Sequence, residues 1–325
     1  MIKTIALLAT VSILASVSAA EARSLRFAYA SNATPTVQAM EKFGELLSEK
    51  TNGELTVEYF PDGQLGGERE LVEMVQSGLL DMTKVSGGLM ESFSPVYGVF
   101  SMPYLFDNQD HFYKAMDDAA IMDPIYQSTA SQGMLGLTYY DSGARSFYTS
   151  KVPVQHVADL KGLKIRVLQS PTSIKMVEML GGSPIAMAQD EVYTSIQQGV
   201  LDGAENNEFA LTIARHGEVA KNYSYDMHTR IPDIMLISKK TFDSLTPDEQ
   251  KAVVEAAKES TEFQKGVWGE AVAATKQEAA DKFGVTYYYP DVSEFQAAVQ
   301  PMYDDLKSDP EKYKVYEEIR ADAGK

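Results

Sequence analysis

The feature that most constrains the fold is a helical pattern of 38 residues, from Thr246 to Phe283. It begins at TPDE, where a threonine, a proline and a glutamate occupy positions typical of a capped helix start. At 1.5 Å per residue, a helix of this length extends about 57 Å. That is longer than one small domain, so the sequence predicts two lobes with this helix lying across both.

The segments before this helix repeat one alternation of strands and helices. Three strand patterns (SLRFAYA, ELTVEYF and LLDMTKVS) are separated by two helical patterns between residues 24 and 86. The same order begins again at residue 136, and IMLIS (234–238) adds a further strand. Because β-α-β-α-β is half of an open parallel sheet, we predict an α/β fold with two mostly parallel sheets and a ligand cleft between the lobes.

We assign residues 23–143 and 232–271 to the first lobe, and residues 144–231 and 272–325 to the second. Residues 1–22 stand apart: Lys3 precedes the 13-residue apolar run IALLATVSILASV and the small residues SAAEA. This layout predicts a secretory signal peptide, cleaved after Ala20 or Ala22. The run is too short to span a bilayer comfortably. We therefore expect an exported, periplasmic protein whose mature chain is not inserted in the membrane.

Composition narrows the classes of function. The chain has no cysteine, which excludes thiolate metal sites and thiol nucleophiles, and its four histidines form no HxxxH or HExxH pair. We therefore predict neither a metal nor another cofactor. With 29 basic and 46 acidic side chains, the net charge of −17 argues against a nucleic-acid partner.

Arg166 raises a specific question, because it lies between apolar neighbours in the short strand pattern KIRVL. A buried guanidinium without a partner is strongly unfavourable. Either the edge of this strand is exposed to water, or an anion meets the arginine there. The strand pattern alone leaves both alternatives open.

Five sequence blocks occur together in a specific order. They are PDGQLGGERE (61–70), MPYLF (102–106), SGARSFYTS (142–150), DLKGLKIRV (159–167) and DEVYTSIQQGVLDGAENN (190–207). With these blocks the chain resembles the substrate-binding proteins of tripartite ATP-independent periplasmic (TRAP) transporters, the DctP-type family. An ABC-type binding protein would also have two lobes, but the long helix and the VLDGAENN block favour the TRAP family.

The resemblance implies roles for three residues. In the family, the arginine that matches Arg166 points into the cleft and clamps a carboxylate. Arg145 matches a second cleft arginine, and Asn206 matches an amide that bonds the same carboxylate or a neighbouring hydroxyl. The planar fork of arginine suits such a clamp, because it donates two parallel N–H bonds to one carboxylate.

Five further residues are candidates for the cleft. Glu68 matches an acid that faces the cleft in the family, or it only complements a helix dipole. Gln189 stands where many relatives have phenylalanine; it indicates a ligand rich in hydroxyls unless it is simply solvated. Asp233 precedes a strand that returns to the first lobe, and Ser86 ends a strand. Asn207 replaces a proline that is common in the family.

The resemblance implies a monomeric, non-enzymatic protein that captures an organic acid and delivers it to a membrane permease. Two acids in the cleft would repel a second ligand carboxylate by about 4 kcal/mol at 4 Å and a dielectric of 20. We therefore expect a sugar acid of the hexuronate type, such as glucuronate or galacturonate. An aldonate, a C4-dicarboxylate and sialic acid remain alternatives. A secreted sugar-acid enzyme is the remote one, because the sequence has no nucleophile elbow, histidine triad or metal set.

Overall fold

The computed structural model of the protein describes residues 22–30 and 32–323. The predicted signal peptide lies outside the described residues except for Ala22, and it stays a prediction. Within the described ranges, no helix has both the length and the apolar character needed to cross a membrane.

Strands and helices alternate along the described chain, as the sequence predicts. The strands are β1 (Arg23–Tyr29), β2 (Leu55–Phe60), β3 (Met82–Ser86), β4 (Met134–Tyr140), β5 (Arg145–Thr149), β6 (Lys164–Val167), β7 (Ser183–Ala186), β8 (Gly203–Asn206), β9 (Asn222–Thr229), β10 (Asp233–Ser238) and β11 (Thr286–Tyr288). The helices are α1 (Thr34–Lys50), α2 (Glu68–Ser77), α3 (Gly87–Met90), α4 (Gln109–Asp117), α5 (Ala119–Gln127), α6 (Pro171–Met179), α7 (Val192–Gln197), α8 (Phe209–Thr212), α9 (Lys239–Asp243), α10 (Pro247–Phe283), α11 (Val292–Leu306) and α12 (Pro310–Asp322).

The strands form two sheets, with the orders β2-β1-β3-β10-β4 and β11-β9-β5-β8-β6-β7. In each sheet one strand runs against its neighbours: β10 in the first and β5 in the second. These are the strands that the chain enters at its two short crossings between the sheets; a third passage, from β10 to β11, runs through α10. The crossings, 141–144 and 230–232, are too short to reach the far end of a sheet, since a residue spans at most about 3.6 Å. The strand that follows each crossing therefore begins at the near end of the sheet and runs opposite to its neighbours. The predicted fold with two mostly parallel sheets is confirmed.

Helix α10 lies across both sheets. It packs against α1 and β4 of the first sheet's layer and against α8 beside the second. Its 37 residues extend about 56 Å at 1.5 Å per residue. The hydroxyl of Thr246 accepts from the N–H of Glu249, whose carboxylate accepts from the N–H of Thr246, and Gly284 ends the helix in the left-handed conformation. The predicted long bridging helix is confirmed.

Three buried apolar clusters hold these layers together. One lies between the first sheet, α1 and α10, and another covers the face of the second sheet that carries Tyr148 and Tyr223. The largest includes Val85 from the first sheet and Ile165 from the second, so it is continuous across the two. Helix α11 packs on β9 and α6, whereas α12 packs on α4 and α5. The division into lobes stays a prediction. It assigns α12 to the second lobe, whereas α4 and α5, on which α12 packs, belong to the predicted first lobe.

We expect Thr246→Ala to lower the free energy of unfolding by about 1 kcal/mol, because it removes the side-chain cap of α10. Glu249→Gln keeps an acceptor oxygen for the other half of the capping box, so it should cost less. Urea denaturation of both variants measures the difference. Equal losses in the two would contradict a capping role for the Thr246 hydroxyl.

Candidate functional site

A cavity of about 320 Å³ lies between the two sheets. Its wall contains side chains from strand ends of both sheets and from the N-terminus of α2. All eight residues predicted from the sequence line it: Arg166, Arg145, Asn206, Glu68, Gln189, Asp233, Ser86 and Asn207. Which of them contact a ligand stays a prediction, but the structure brings all of them together.

Arg166 is 3 % exposed, and no carboxylate of the described chain lies within hydrogen-bonding distance of it. Its Nε and Nη2 donate to the carbonyl oxygen of Met187 at 2.9 and 2.8 Å, and Nη1 donates to Oε1 of Gln189 at 3.0 Å. A guanidinium has five N–H donors, so one N–H remains on Nη1 and one on Nη2. Burial, and then the charge of Arg145, lowers the pKa of Arg166. The residue is thus a buried cation that faces the cavity without its counter-ion.

Arg145, by contrast, already has a carboxylate. Its Nε and Nη2 donate to the carboxylate of Glu205 at 2.5 and 3.0 Å, and Nη2 also donates to the carbonyl oxygen of Glu205 at 2.7 Å. Nη1 donates to Oδ1 of Asn206 at 2.9 Å, which leaves one N–H on Nη1. The fork that the family resemblance assigns to a ligand carboxylate is therefore occupied by Glu205 in this structure.

The pleat of β8 explains why the two arginines differ. Arg166 lies beside Ala204 in the parallel pairing of β6 with β8. Since side chains alternate between faces, Asn206 shares the face of Ala204 and Arg166, and Glu205 points to the opposite one. On the face of Arg166, Nδ2 of Asn206 lies 3.4 Å from Oε1 of Gln189, the oxygen that also accepts from Arg166.

Behind Arg145 lies a buried row of alternating charges. Nδ1 of His228 is 2.6 Å from a carboxylate oxygen of Asp226, and Nε2 is 3.4 Å from one of Glu205. Burial alone would lower the pKa of His228, but the two carboxylates, Asp226 first, raise it to about 9. Burial would likewise raise the pKa of Glu205, but Arg145 and His228 lower it to about 2. Arg145, Glu205, His228 and Asp226 therefore balance one another.

The opposite wall carries three charged side chains from three elements. Nζ of Lys84 donates to a carboxylate oxygen of Asp233 at 2.9 Å and lies 3.7 Å from Oε1 of Glu68. That oxygen of Glu68 accepts the N–H of Ser86 at 3.1 Å. Burial raises the pKa of Glu68, although the charge of Lys84 opposes the rise. The two acids thus flank an ammonium group, and this end of the cavity carries one excess negative charge when both are ionised.

Ser86 and Asn207 have structural partners at the cavity wall. The hydroxyl of Ser86 accepts from the N–H of Gly88 at 3.3 Å and begins α3. Nδ2 of Asn207 donates to the carbonyl oxygen of Ser142 at 2.7 Å, and its Oδ1 accepts from the N–H of Phe209 at 3.0 Å. Both residues hold loops in place, whatever else they contact.

Sequence reasoning missed Lys84, Glu205 and the burial of His228. Lys84 lies between Thr83 and Val85 in a strand, which is the same signal that drew attention to Arg166. Glu205 lies within the matched DGAENN block, but its pairing with Arg145 depends on the register of β5 with β8. His228 has an acid two positions earlier, on the same face of β9, and that spacing was the available signal.

Comparison with known proteins agrees with this geometry. The profile of the family described as bacterial extracellular solute-binding protein, family 7 (DctP), matches residues 27–309. YiiZ of Salmonella typhimurium is 57% identical over 296 residues, which cover 91% of this chain and 90% of that protein.

Two solved TRAP periplasmic solute-binding proteins are similar in structure as well. The one from Anaerococcus prevotii, with bound D-glucuronate, has a TM-score of 0.89 and 36% identity, covering 92% of this chain and 97% of that one. The one from Xanthobacter autotrophicus, with bound β-D-galacturonate, has a TM-score of 0.87 and 38% identity, covering 91% and 99%.

The buried histidine gives a prediction for pH. The pKa of His228 in the folded protein, about 9, lies above its ordinary value of 6.5. Its stabilising contribution is therefore complete below pH 6.5 and is lost as the pH rises through 9. We expect a loss of about 3 kcal/mol in the free energy of unfolding over this window, measured by urea denaturation. His228→Gln should remove this loss, whereas His156→Gln, at an exposed histidine, should keep it; equal pH profiles in all three proteins would contradict the prediction.

Proposed function

The chain belongs to the bacterial extracellular solute-binding proteins, family 7 (DctP), and from this premise we propose that it captures a hexuronate, such as D-glucuronate or D-galacturonate, for a TRAP membrane permease. The protein binds the sugar acid in the cavity between its lobes and releases it chemically unchanged. Its place of action is the periplasm, where the predicted signal peptide would direct it.

One observation carries the proposal: Arg166 is a buried cation that, among residues 22–30 and 32–323, has no carboxylate partner and keeps two N–H groups without an acceptor. A ligand carboxylate that accepts from both Nη1 and Nη2 makes the strong bidentate form of this contact. A hydrogen bond to a charged group contributes about 1.5–3 kcal/mol. The ligand thus supplies the counter-ion that the folded chain lacks.

The distribution of charge supports a monocarboxylate that carries hydroxyls. The row from Arg145 to Asp226 is balanced, and Arg166 contributes one positive charge. The wall with Lys84, Glu68 and Asp233 contributes one excess negative charge when both acids are ionised. A carboxylate fits the positive end. Hydroxyl groups fit the negative end, because they can donate to carboxylate oxygens. A hexuronate has both features on one six-carbon skeleton.

Polar groups between the two ends support the same ligand class. Asn206 and Gln189 share one hydrogen bond at 3.4 Å, and Oδ1 of Asn206 accepts from Nη1 of Arg145, which keeps one N–H. A ligand without hydroxyls would leave such groups buried and unpaired, at about 1–3 kcal/mol each. The relatives from Anaerococcus prevotii and Xanthobacter autotrophicus, each more than 35% identical to this chain, hold glucuronate and galacturonate.

Arg166→Lys should weaken binding of D-glucuronate at least 100-fold in calorimetry, because a lysine cannot donate to Met187 and Gln189 and also hold the carboxylate as a fork. Arg26→Lys, at an exposed side chain of β1, is the matched control and should keep the affinity. Near-normal affinity in Arg166→Lys would refute the clamp.

Nuclear magnetic resonance of the recovered ligand tests the enzyme alternative, since turnover would change its spectrum.

Closure of the lobes on the ligand should be visible through Trp268, the single tryptophan of the chain. Its ring lies 5.2 Å from that of Phe209 in the cavity wall and packs against Gly143, in the crossing between the sheets. Saturating D-glucuronate should therefore change the tryptophan emission and reduce the radius of gyration measured by small-angle scattering. Arg166→Ala at the same concentration should show neither effect. An unchanged radius in wild-type protein that binds the ligand by calorimetry would argue against closure.

A further inference from the structure

Lys84 is a buried cation of the cavity wall outside the clamp at Arg166 and outside the balanced row that contains Arg145. We propose that Lys84 is a second carboxylate-binding group, held occupied by Glu68 and Asp233, and that this arrangement makes the protein select sugar monoacids over sugar diacids. The inference rests on the proposed function, whose ligand class it refines. The inference concerns the end of the cavity that would face the part of the ligand most remote from the carboxylate bound by Arg166.

The position of Lys84 on β3 is unusual for a lysine. Its strand is buried throughout, and the side chain is 3 % exposed. Lys84 lies opposite Met235 in the antiparallel pairing with β10, so it shares a face with that buried methionine and with Met82. Its aliphatic stem therefore belongs to the apolar face of the sheet, and its ammonium group is directed to the cavity, which it lines.

The ammonium group has capacity left for a ligand. It carries three N–H donors, and the structure gives it one hydrogen bond, to Asp233 at 2.9 Å. Glu68 lies at 3.7 Å, beyond hydrogen-bonding distance, and its nearest oxygen accepts from Ser86 instead. Lys84 can therefore donate to a ligand oxygen without giving up Asp233.

The charges around Lys84 determine whether a hydroxyl oxygen or a carboxylate oxygen of the ligand is the better acceptor. With both carboxylates ionised around one ammonium, this end is negative by one charge. A hydroxyl group can accept from Lys84 and donate to Asp233 or Glu68, so it satisfies both kinds of neighbour. A second ligand carboxylate can accept from Lys84 but is repelled by both acids. The wall therefore favours a hydroxyl at the end remote from the ligand carboxylate.

Removing the negative charge of Asp233 or Glu68 should allow Lys84 to bind a second carboxylate of the ligand. Asp233→Asn keeps the size of the side chain but leaves Lys84 with one acid, so this end becomes neutral. We expect this variant to bind D-glucarate at least 10-fold more tightly relative to D-gluconate than the wild type does. The two ligands are open-chain acids of the same skeleton and differ only in that C6 is a carboxylate in one and a CH₂OH group in the other.

A double variant tests whether Lys84 is the group that responds. Asp233→Asn combined with Lys84→Met should lose the gain for D-glucarate, because the ammonium is gone. Glu68→Gln, at a partly exposed side chain, gives an independent test should Asp233→Asn fold poorly, and it should shift the ratio in the same direction. Thermal unfolding confirms that each variant is folded before its affinities are measured by calorimetry.

The outcomes separate this inference from the proposed function. Binding of D-glucuronate to the wild type tests the function alone. If it fails while Asp233→Asn still shifts the ratio of D-glucarate to D-gluconate, the proposed function is wrong and the role of Lys84 stands. The inference is overturned if neither Asp233→Asn nor Glu68→Gln raises the ratio, or if the double variant keeps the gain.

Discussion

The cavity is arranged around Arg166, a buried arginine that has no carboxylate within hydrogen-bonding distance among the described residues. Burying a charge is unfavourable unless it is paired, and Arg166 receives only a carbonyl oxygen from Met187 and an amide oxygen from Gln189. These neutral partners hold the guanidinium in one orientation, but they do not neutralise it. The proposed function assigns the balancing charge to the carboxylate of the ligand.

The rest of the cavity keeps that charge unpaired. Glu205 is bound to Arg145 on the face of β8 opposite to Arg166. His228 and Asp226 extend the row, and the backbone of the MPYLF segment reaches it, since the N–H of Tyr104 donates to the carbonyl oxygen of His228 at 2.7 Å. The carboxylates of Glu205 and Asp226, which could otherwise pair with Arg166, are thus paired with Arg145 and His228. The two faces of the sheet separate Arg145, which has a carboxylate partner, from Arg166.

The path of the chain brings the two walls together. Short crossings at 141–144 and 230–232 force one antiparallel strand into each sheet, so the strand ends that carry Asp233 and Arg145 both begin at the cavity. Arg230 and Asp141, one from each crossing, are paired at 3.2 Å. The segments that position the charges are therefore two of the three connections between the sheets, the third being α10.

Much of this could be predicted from the sequence, because it follows from local patterns. Alternating apolar residues, the capping box at Thr246 and the glycines after helices determined the elements, the long helix and the two-sheet fold. The matched blocks contained five of the eight candidate residues, and their surroundings in the sequence supplied Ser86, Gln189 and Asp233; all eight line one cavity. The tertiary structure alone decided which charges meet. Glu205 pairs with Arg145, and Lys84 lies between Glu68 and Asp233, because of strand register and contacts between elements far apart in the chain. A local pattern specifies which face a side chain occupies, but its partner depends on which strand lies alongside and in what register.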